Sequence, residues 1–433
     1  MLSRMTASSR RTFLAAGTAA FSLGRVLGAN DRVNVGIVGI GGRGTDHIKT
    51  YATVPDARIV ALCDVNQAAL EKGQTHAKNL TGEQPKGYDD MRKMFADKDV
   101  HAVSITTPNH WHALSTIWAC QAGKDVYCEK PACYNVHEGE RMIEVARKTG
   151  RMVQIGSQGR TVPHHIKAVK LLHDGAIGKV YMAKGLCYKR RKSIGHKEDE
   201  PTPLGLNWDM FLGPAPMRPY NELRFKYNWH WFWDTGNGDI GNQGVHQMDL
   251  ARWGLDVTWP KSVVSTGGKY VYVDDQETPN TQLATFDYGD KQLVFEVRGI
   301  FTNGEGPVQR SGGNYVGNLF YGADGWMSVD GSGFKVFKGE KDELAMDEKA
   351  DKSDTAEHMK NFIAACRSRN YKDLNADVAI GVMSADLCHL ANASYRSGRK
   401  LAVDASKGRF TGPGAEEGNA FLTRPKYRAP YAV

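Results

Sequence analysis

The sequence predicts an α/β fold in two parts. An N-terminal doubly wound parallel sheet is followed by an α+β domain with a large, open, mostly antiparallel sheet. Three observations carry this. Strand-like and helix-like segments alternate from Val33 to about Ile155, as crossovers between parallel strands require. The first strand, VNVGIVG, breaks into Gly39, Gly41 and Gly44, the G-x-G-x-x-G spacing of a strand-to-helix turn that cradles phosphates. After Gly156 come longer β-rich segments with period-2 alternation and hairpin signals such as Tyr288-Gly289-Asp290, the pattern of antiparallel strands with one covered face.

Taken in order, the apolar run from Val33 is the first strand, and Asp46 to Ala52 a helix. Arg58 to Asp64 (RIVALCD) is the second strand and Gln67 to Asn79 the next helix. Tyr88 to Phe95 reads as a short helical stretch. His101 to Thr107 is a strand, His112 to Ala122 a helix, DVYCEK a strand, Val136 to Thr149 a helix and MVQIG a strand. A helix from His164 to Asp174 stops at Gly175. The β-rich segments VYMAKGLCYK, SVVSTGGKYVYV, TQLATFDY, KQLVFEVRGIF and WMSVDGSGFKVFKG follow. Helices return at Thr355 to Arg369 and Asp377 to Ser397. The Pro- and Gly-rich tail from Gly412 is long and aromatic enough to wrap a neighbouring surface. The expected division is a leader over 1–29, a dinucleotide-binding domain over 30–155, a substrate and oligomerisation domain over 156–404, and a tail over 405–433.

The leader carries Ser9-Arg10-Arg11-Thr12-Phe13-Leu14, a twin-arginine pattern, before a modestly apolar stretch from Leu14 to Leu27. That stretch is too short and too rich in Gly, Ala and Thr to span a bilayer stably. A small-residue cleavage site near Gly28-Ala29 is imperfect because of Leu27. The expectation is export in folded form to the periplasm, against the plainer reading of a disordered basic N-terminus. No later apolar run reaches membrane-spanning length.

The net charge of +8 is partly the leader's and is otherwise dispersed. Without aromatic-basic interleaving it speaks against nucleic acid. The densest basic run, Lys189-Arg190-Arg191-Lys192, reads as a solvated loop. Seven cysteines with no C-x-x-C pair imply core thiols, Cys63 and Cys128 among them. Folding before transport requires no disulfide.

The glycine loop points to a dinucleotide. Gly39 permits the tight turn, Gly41 clears space for a pyrophosphate, and Gly42 and Arg43 continue the loop. Gly44 lets the next helix pack close, with its first N–H groups facing the phosphates. Asp64, about 20 residues on, suits a ribose 2′-OH and repels a 2′-phosphate, so NAD is favoured over NADP. Ligands in such sheets bind outside the carboxyl ends of the strands. Three further clusters lie there: Thr106 to His112 (TTPNHWH), Glu129-Lys130-Pro131 and Gly156-Ser157-Gln158.

The ordered set of the glycine loop, T-P-N-x-x-H and E-K-P resembles the Gfo/Idh/MocA family of sugar and inositol oxidoreductases. Gly241 to Asp249 (GNQGVHQMD), with Leu250-Ala251-Arg252-Trp253, looks like that family's G-x-H-x-x-D-L-x-R-W segment. Asn207-Trp208 to Tyr220 is similar to a segment of many exported members. The resemblance runs from about Val33 to Asp404. It implies that Thr107, Pro108, Asn109, Trp111, His112, Glu129, Lys130 and Gln158 join the glycine loop and Asp64 around NAD. His110, Trp111 and His112 flank the nicotinamide edge by that analogy, with one of the three left to packing.

Lys130 is then a catalytic candidate, its ammonium stabilising the alkoxide that develops as hydride leaves carbon. The plain alternative is a surface lysine after a strand. His246 is the candidate base for the hydroxyl proton, against a histidine that merely packs. Family dehydrogenases often carry an aspartate four residues before this histidine, where this chain has Asn242. An amide orients a hydroxyl but takes up no proton, so a mechanism relying on an Asp–His pair is in doubt.

The run NWHWFW (Asn228 to Trp233) and the glycine-rich DTGNGDIGNQG suit stacking on a sugar ring, with Asp234, Asn237 and Asp239 for its hydroxyls. Core aromatics and turn-forming acids explain them equally. Tyr188, His230, Trp231, Asp234, Asn242 and His246 are assigned to the substrate. No H-x-H or H-E-x-x-H pattern recurs, so no metal is expected.

The expected function is an NAD-dependent oxidoreductase for a ring hydroxyl of a sugar, glycoside or cyclitol, with a tightly held cofactor and a homo-oligomeric state. The alternative is a redox-neutral glycosidase that oxidises, eliminates, hydrates and reduces back. A non-enzymatic sugar-binding protein with a vestigial dinucleotide domain is argued against by the intact glycines, Asp64 and Lys130.

Overall fold

The computed structural model describes residues 32–350 and 355–433. The twin-arginine pattern and its apolar stretch lie outside the described residues. The first sheet contains β1 (Val33–Val38), β2 (Ala57–Cys63), β3 (Lys86–Tyr88), β4 (Ala102–Ile105), β5 (Asp125–Cys128) and β6 (Val153–Ile155). All pair in parallel, in the order β3-β2-β1-β4-β5-β6. The order reverses between β1 and β4, which opens a crevice outside their carboxyl ends. Helices α1 (Gly42–Ala52), α2 (Gln67–Thr81), α3 (Met91–Ala96), α4 (His112–Gln121) and α5 (Val136–Thr149) make the crossovers. Burial on both faces explains why β4 and β5 read as short apolar runs without alternation.

Two local expectations are corrected. Helix α1 starts at Gly42 rather than Asp46, because the turn at Gly39 aims the chain into helix at once and overrides the poor propensity of its glycines. Tyr88 ends a short strand, and the helix begins only after Asp90, whose carboxylate accepts the Arg92 N–H at 2.8 Å. Three residues are too few for a strand period to register.

The second sheet has eleven strands. They are β7 (Val180–Tyr188), β8 (Ser262–Gly268), β9 (Thr281–Asp287), β10 (Gln292–Arg298), β11 (Arg310–Ser311), β12 (Asn314–Gly322), β13 (Gly325–Asp330), β14 (Gly333–Lys338), β15 (Glu343–Lys349), β16 (Leu401–Asp404) and β17 (Arg409–Thr411). The order is β15-β14-β13-β12-β7-β10-β9-β8-β16-β17, with β11 on β12. Within it β7 and β10 run parallel and the other pairs antiparallel. The sequence missed β11, β12, β15, β16 and β17; in β12, Asn314, Gly317 and Asn318 interrupt the β-branched pattern. Helices α6 (Pro163–His173), α7 (Trp208–Leu212), α8 (Gly238–Asn242), α9 (Gly244–Leu255), α10 (Thr355–Ser368), α11 (Val378–Ser397) and α12 (Ala415–Ala420) complete the chain. Leu172, Met248, Leu387 and Leu390 from three of these helices pack on Phe286, Phe295 and Phe320 of the sheet.

The first core is finished by distant sequence. Met359, Phe362, Ile363 and Cys366 of α10 pack with Val33, Val35 and Tyr127. The tail lies along its own chain. Tyr431 meets Trp111 and Trp118, Arg424 pairs with buried Glu138, and Arg428 pairs with Asp209. All seven cysteines are buried and free, and no helix among the described residues is long and apolar enough to cross a membrane.

Candidate dinucleotide and substrate site

The glycine loop separates its three tasks physically. Gly39 has φ +86°, and a Cβ there would lie 2.9 Å from the Thr107 nitrogen. A Cβ on Gly44 would sit 2.0 Å from the Gly39 oxygen, so α1 packs this close only on glycine. At Gly41 and Gly42 an added Cβ meets nothing within 4 Å. The loop therefore borders open space at the N-terminus of α1, which fits a pyrophosphate.

Asp64 follows β2 and faces the same space. Its carboxylate accepts the Ile40 N–H at 2.5 Å and the Asn66 N–H at 2.8 Å. Burial pushes its pKa up, and the two N–H bonds oppose that. Lone pairs remain for a ribose hydroxyl. Gly39, Gly41, Gly42, Arg43, Asp64, Thr107, Pro108, Trp111, His112, Glu129 and Lys130 share a cavity of about 710 Å³. The Thr107 hydroxyl is buried there without a partner, as a site built for a polar ligand would leave it. The residues present fit NAD.

The end of β5 is organised by Glu129. Its Oε1 accepts from Arg43 Nε at 2.7 Å, His47 Nε2 at 2.9 Å and Gln158 Nε2 at 3.2 Å, and its Oε2 from the Lys130 N–H at 3.1 Å. Although burial favours the neutral acid, the Arg43 guanidinium and the His47 bond hold this carboxyl well below its ordinary range. Glu129 lines the cavity, yet its oxygens already serve the chain's own groups, so it is an anchor for the loop. His112 likewise lines the cavity with both ring nitrogens engaged, 2.6 Å from the Pro131 oxygen and 2.9 Å from the Thr107 oxygen.

Lys130 Nζ donates to the Asn242 backbone oxygen at 3.0 Å and reaches its Oδ1 at 3.5 Å. Burial is the main force lowering its pKa, to about 8, with Arg43 and Lys189 helping and Glu129 opposing. Asn242 Nδ2 donates to the Tyr227 hydroxyl at 3.1 Å and to Asp239 at 3.5 Å. The residue thus presents a carbonyl to the lysine and fixes its own amide against α8 and the aromatic segment.

Beyond Lys130 a second cavity of about 650 Å³ adjoins the first across Lys189 and Gln243, which line both. His246, Gln158, Gln247, Asp249, Trp253, Arg310 and Asn314 are among its walls. Burial first, then the Lys130 charge, pushes His246 down to about 3. The ring is neutral at ordinary pH. Lys189 donates to Gln243 Oε1 at 3.1 Å, and burial lowers its pKa as well.

Several assigned residues stand elsewhere. Gln158 lines the second cavity instead of the first. Asn109 is buried and donates to Asn237. His110 is fully buried and bonded to the Phe211 oxygen at 2.9 Å, which makes it the packing member of its trio. Tyr188 lies on the opposite sheet face from Lys189, bonded to Glu296 and Glu305 at 2.8 Å each, because neighbouring strand residues point oppositely. Trp231 is buried beneath the Arg191 guanidinium, 5.1 Å from its ring centre. Asp234 pairs with Arg218 at 2.8 Å. None of Asn109, Tyr188, Trp231 and Asp234 lines either cavity.

His230 does line the first cavity, stacked on Trp229 at 3.5 Å. Sequence reasoning missed Tyr227, Met210, Phe211, Lys189 and Gln243 as lining residues, whereas Trp229 belongs to the aromatic run it offered for the substrate. The basic run is also corrected: Lys189 faces the cavities and Arg191 holds buried Asp239 at 2.6 Å and 2.8 Å. Its signal was the alternation of β7, which ends at Tyr188, one residue before Lys189. The cap over the cavity is the 206–229 segment, where Trp208, Phe211, Leu212 and Tyr220 pack with Val65 and Trp229.

Comparison with known proteins agrees with this geometry. A family model described as the oxidoreductase family with an NAD-binding Rossmann fold matches residues 33–157, and that family's C-terminal α/β domain matches 166–276. An inositol 2-dehydrogenase of Salmonella typhimurium is 38% identical over 162 residues, 36% of this chain and 46% of that protein. A glycosyl hydrolase family 109 protein of Saccharopolyspora erythraea is 28% identical over 270 residues, 61% of this chain and 51% of that protein. The chain therefore spans about half the length of the curated relatives it matches. The WlbA dehydrogenase of Bordetella pertussis, solved with NADH and UDP-GlcNAcA, superimposes with a TM-score of 0.66 at 21% identity, over 86% of this chain and 99% of that one. That likeness speaks to the fold. The two family models together cover more than half of the described chain, and the protein belongs to the Gfo/Idh/MocA oxidoreductase family, with an NAD-binding Rossmann domain.

Proposed function

We propose that the protein is an NAD-dependent oxidoreductase acting on a ring hydroxyl of a sugar, glycoside or cyclitol. The observation that carries this reading is the place of Lys130. It lines the dinucleotide-type cavity and is held by Asn242 beside Gln243 and Lys189, which also line the polar second cavity. When bound, NAD supplies the acceptor for the hydride that leaves the carbinol carbon. The glycine loop, Asp64, Thr107 and Trp111 would hold it. The amide-rich second cavity suits hydroxyls, with Gln243, Gln247 and Asn314 as donors and acceptors. His246, neutral through burial, takes the substrate O–H proton and, with its pKa held at about 3, passes it on to solvent. The Lys130 ammonium stabilises the negative charge that grows on that oxygen. Purified protein is tested for NADH formation against polyols and glycosides, beside Lys130→Met. The variant should retain NAD and lose turnover; a variant defective only in NAD binding would reassign Lys130 to cofactor retention.

The redox-neutral glycosidase is the second reading, favoured by the glycosyl hydrolase family 109 relative. Oxidation of a hydroxyl two carbons from the anomeric centre acidifies the intervening C–H, so the leaving group departs by elimination before water adds and the ketone is reduced. Turnover in heavy water without added NAD would then place deuterium on that carbon of the released sugar. A dehydrogenase leaves the bond untouched and accumulates NADH. The Arg10-Arg11 pattern supports export by the twin-arginine route to the periplasm, where a cofactor carried inside the fold and shut under the aromatic cap would serve many cycles. Replacing both arginines by lysine should leave the precursor in the cytoplasm. Association into a homo-oligomer completes the reading, and sedimentation of the purified chain tests it.

A further inference from the structure

A buried polar cluster lies outside both cavities. Cys133 follows Lys130 by three residues, in the segment between β5 and α5; Asp386 and His389 sit one turn apart on α11. All three are buried, and one ligand atom from each lies within 4.8 Å of the others. Asp386 is 2% exposed, and its Oδ1 has no hydrogen-bond partner. The charges that act on it are Glu140 and Arg409, which are paired with each other at 2.7 Å. A carboxylate so enclosed needs a cation or a proton.

The spacing of the three ligand atoms admits a metal ion. Cys133 Sγ stands 3.6 Å from His389 Nε2. A tetrahedral ion about 2.3 Å from sulfur and about 2.1 Å from nitrogen spaces those two atoms by about 3.6 Å. The donor set of one thiolate, one imidazole and one carboxylate suits a borderline-soft divalent ion. Charge also balances, since a thiolate and a carboxylate beside a neutral imidazole cancel a dication and leave no net charge in the core. We propose that Cys133, Asp386 and His389 bind a divalent ion of the zinc type, with water in the fourth position. Binding releases the thiol proton and any carboxyl proton to solvent. The ion ties the segment after Lys130 to α11, so its role is to hold the catalytic loop in register.

The full-length protein, purified without chelator, should contain about one zinc per chain by plasma mass spectrometry. Exchange for cobalt(II) should give the intense visible bands of a tetrahedral centre and a sulfur-to-cobalt charge-transfer band. Cys133→Ser should abolish that band and Asp386→Asn should lower metal content several-fold. Cys388→Ser, a buried neighbour outside the cluster, should change neither. If Cys133→Ser does not fold, the wild-type chain decides: stripping the metal should lower the melting temperature and zinc should restore it. Metal below about a tenth of an equivalent, with no melting response to zinc or cobalt, overturns the proposal. A charge-transfer band that survives Cys133→Ser also overturns it.

Discussion

Glu129→Gln tests the electrostatics of the site most directly. The glutamate's charge is what opposes the burial of Lys130, whose pKa stands at about 8. Two unit charges about 5 Å apart interact by ~3 kcal/mol at an effective dielectric constant of about 20. Arg43, 2.7 Å from the same carboxylate, keeps its charge in the variant, so the full ~3 kcal/mol is lost at Lys130. That corresponds to about two pKa units, so the lysine in the variant should titrate at about 6. The ammonium is the active form in this reading, and it is lost as pH rises through its pKa. At pH ~8 about half of the parent lysine is charged but only about a hundredth of the variant's, so kcat/KM should fall roughly fiftyfold. At about pH 5 both are largely charged and the defect should nearly disappear. His246, already neutral above about 3, adds no slope in this range. The assay is the pH profile of kcat/KM for both proteins, with circular dichroism checking the fold at each pH. A pH-independent defect would assign the loss to the disrupted Arg43, His47 and Gln158 contacts. Parent activity that climbs through pH 8 to 10 would make neutral Lys130 the base and refute the reasoning.

Asp64→Ala removes the acceptor for two backbone N–H groups and for a ribose hydroxyl, so NAD should bind about tenfold more weakly and the gap to NADP should narrow; fluorescence titration measures both. Tyr431→Ala strips an edge-to-face contact with Trp111, 5.4 Å between ring centres. It should cost about 3 kcal/mol and speed NAD release, read by thermal melting and stopped flow. Asp234→Asn should leave the substrate KM within about twofold, since its partner Arg218 lies outside both cavities. Lys189→Met should raise KM about tenfold or more if the second cavity holds the substrate.

What the sequence determined by itself was the part written in local rules. The glycine spacing, the strand–helix alternation and the acid after β2 each express a short-range demand: a turn, a crossover, a hydroxyl acceptor. They place Gly39, Gly41, Gly44, Asp64 and Lys130 at one sheet edge before any tertiary contact is known. The antiparallel second sheet was legible from its period over β7 to β10, β13 and β14, but not at β12, where asparagine and glycine mask the alternation, nor at β11, β15, β16 and β17. Only the tertiary structure decided which polar residues face the cavities. Tyr188 and Lys189 are adjacent in sequence and opposite in space, because one residue's shift in a strand reverses the side chain. Asp234 and Trp231 looked like sugar ligands by composition, but Arg218 and Arg191, from other segments, claim them. Glu129 turned from ligand into anchor through Arg43 and His47, whose approach depends on α1 packing against β5. The α10 helix closes the first core from more than two hundred residues away, where no local pattern records the partner. Periodicity and turn chemistry act over a few residues, whereas pairing of buried charges is settled by whichever chain segment arrives.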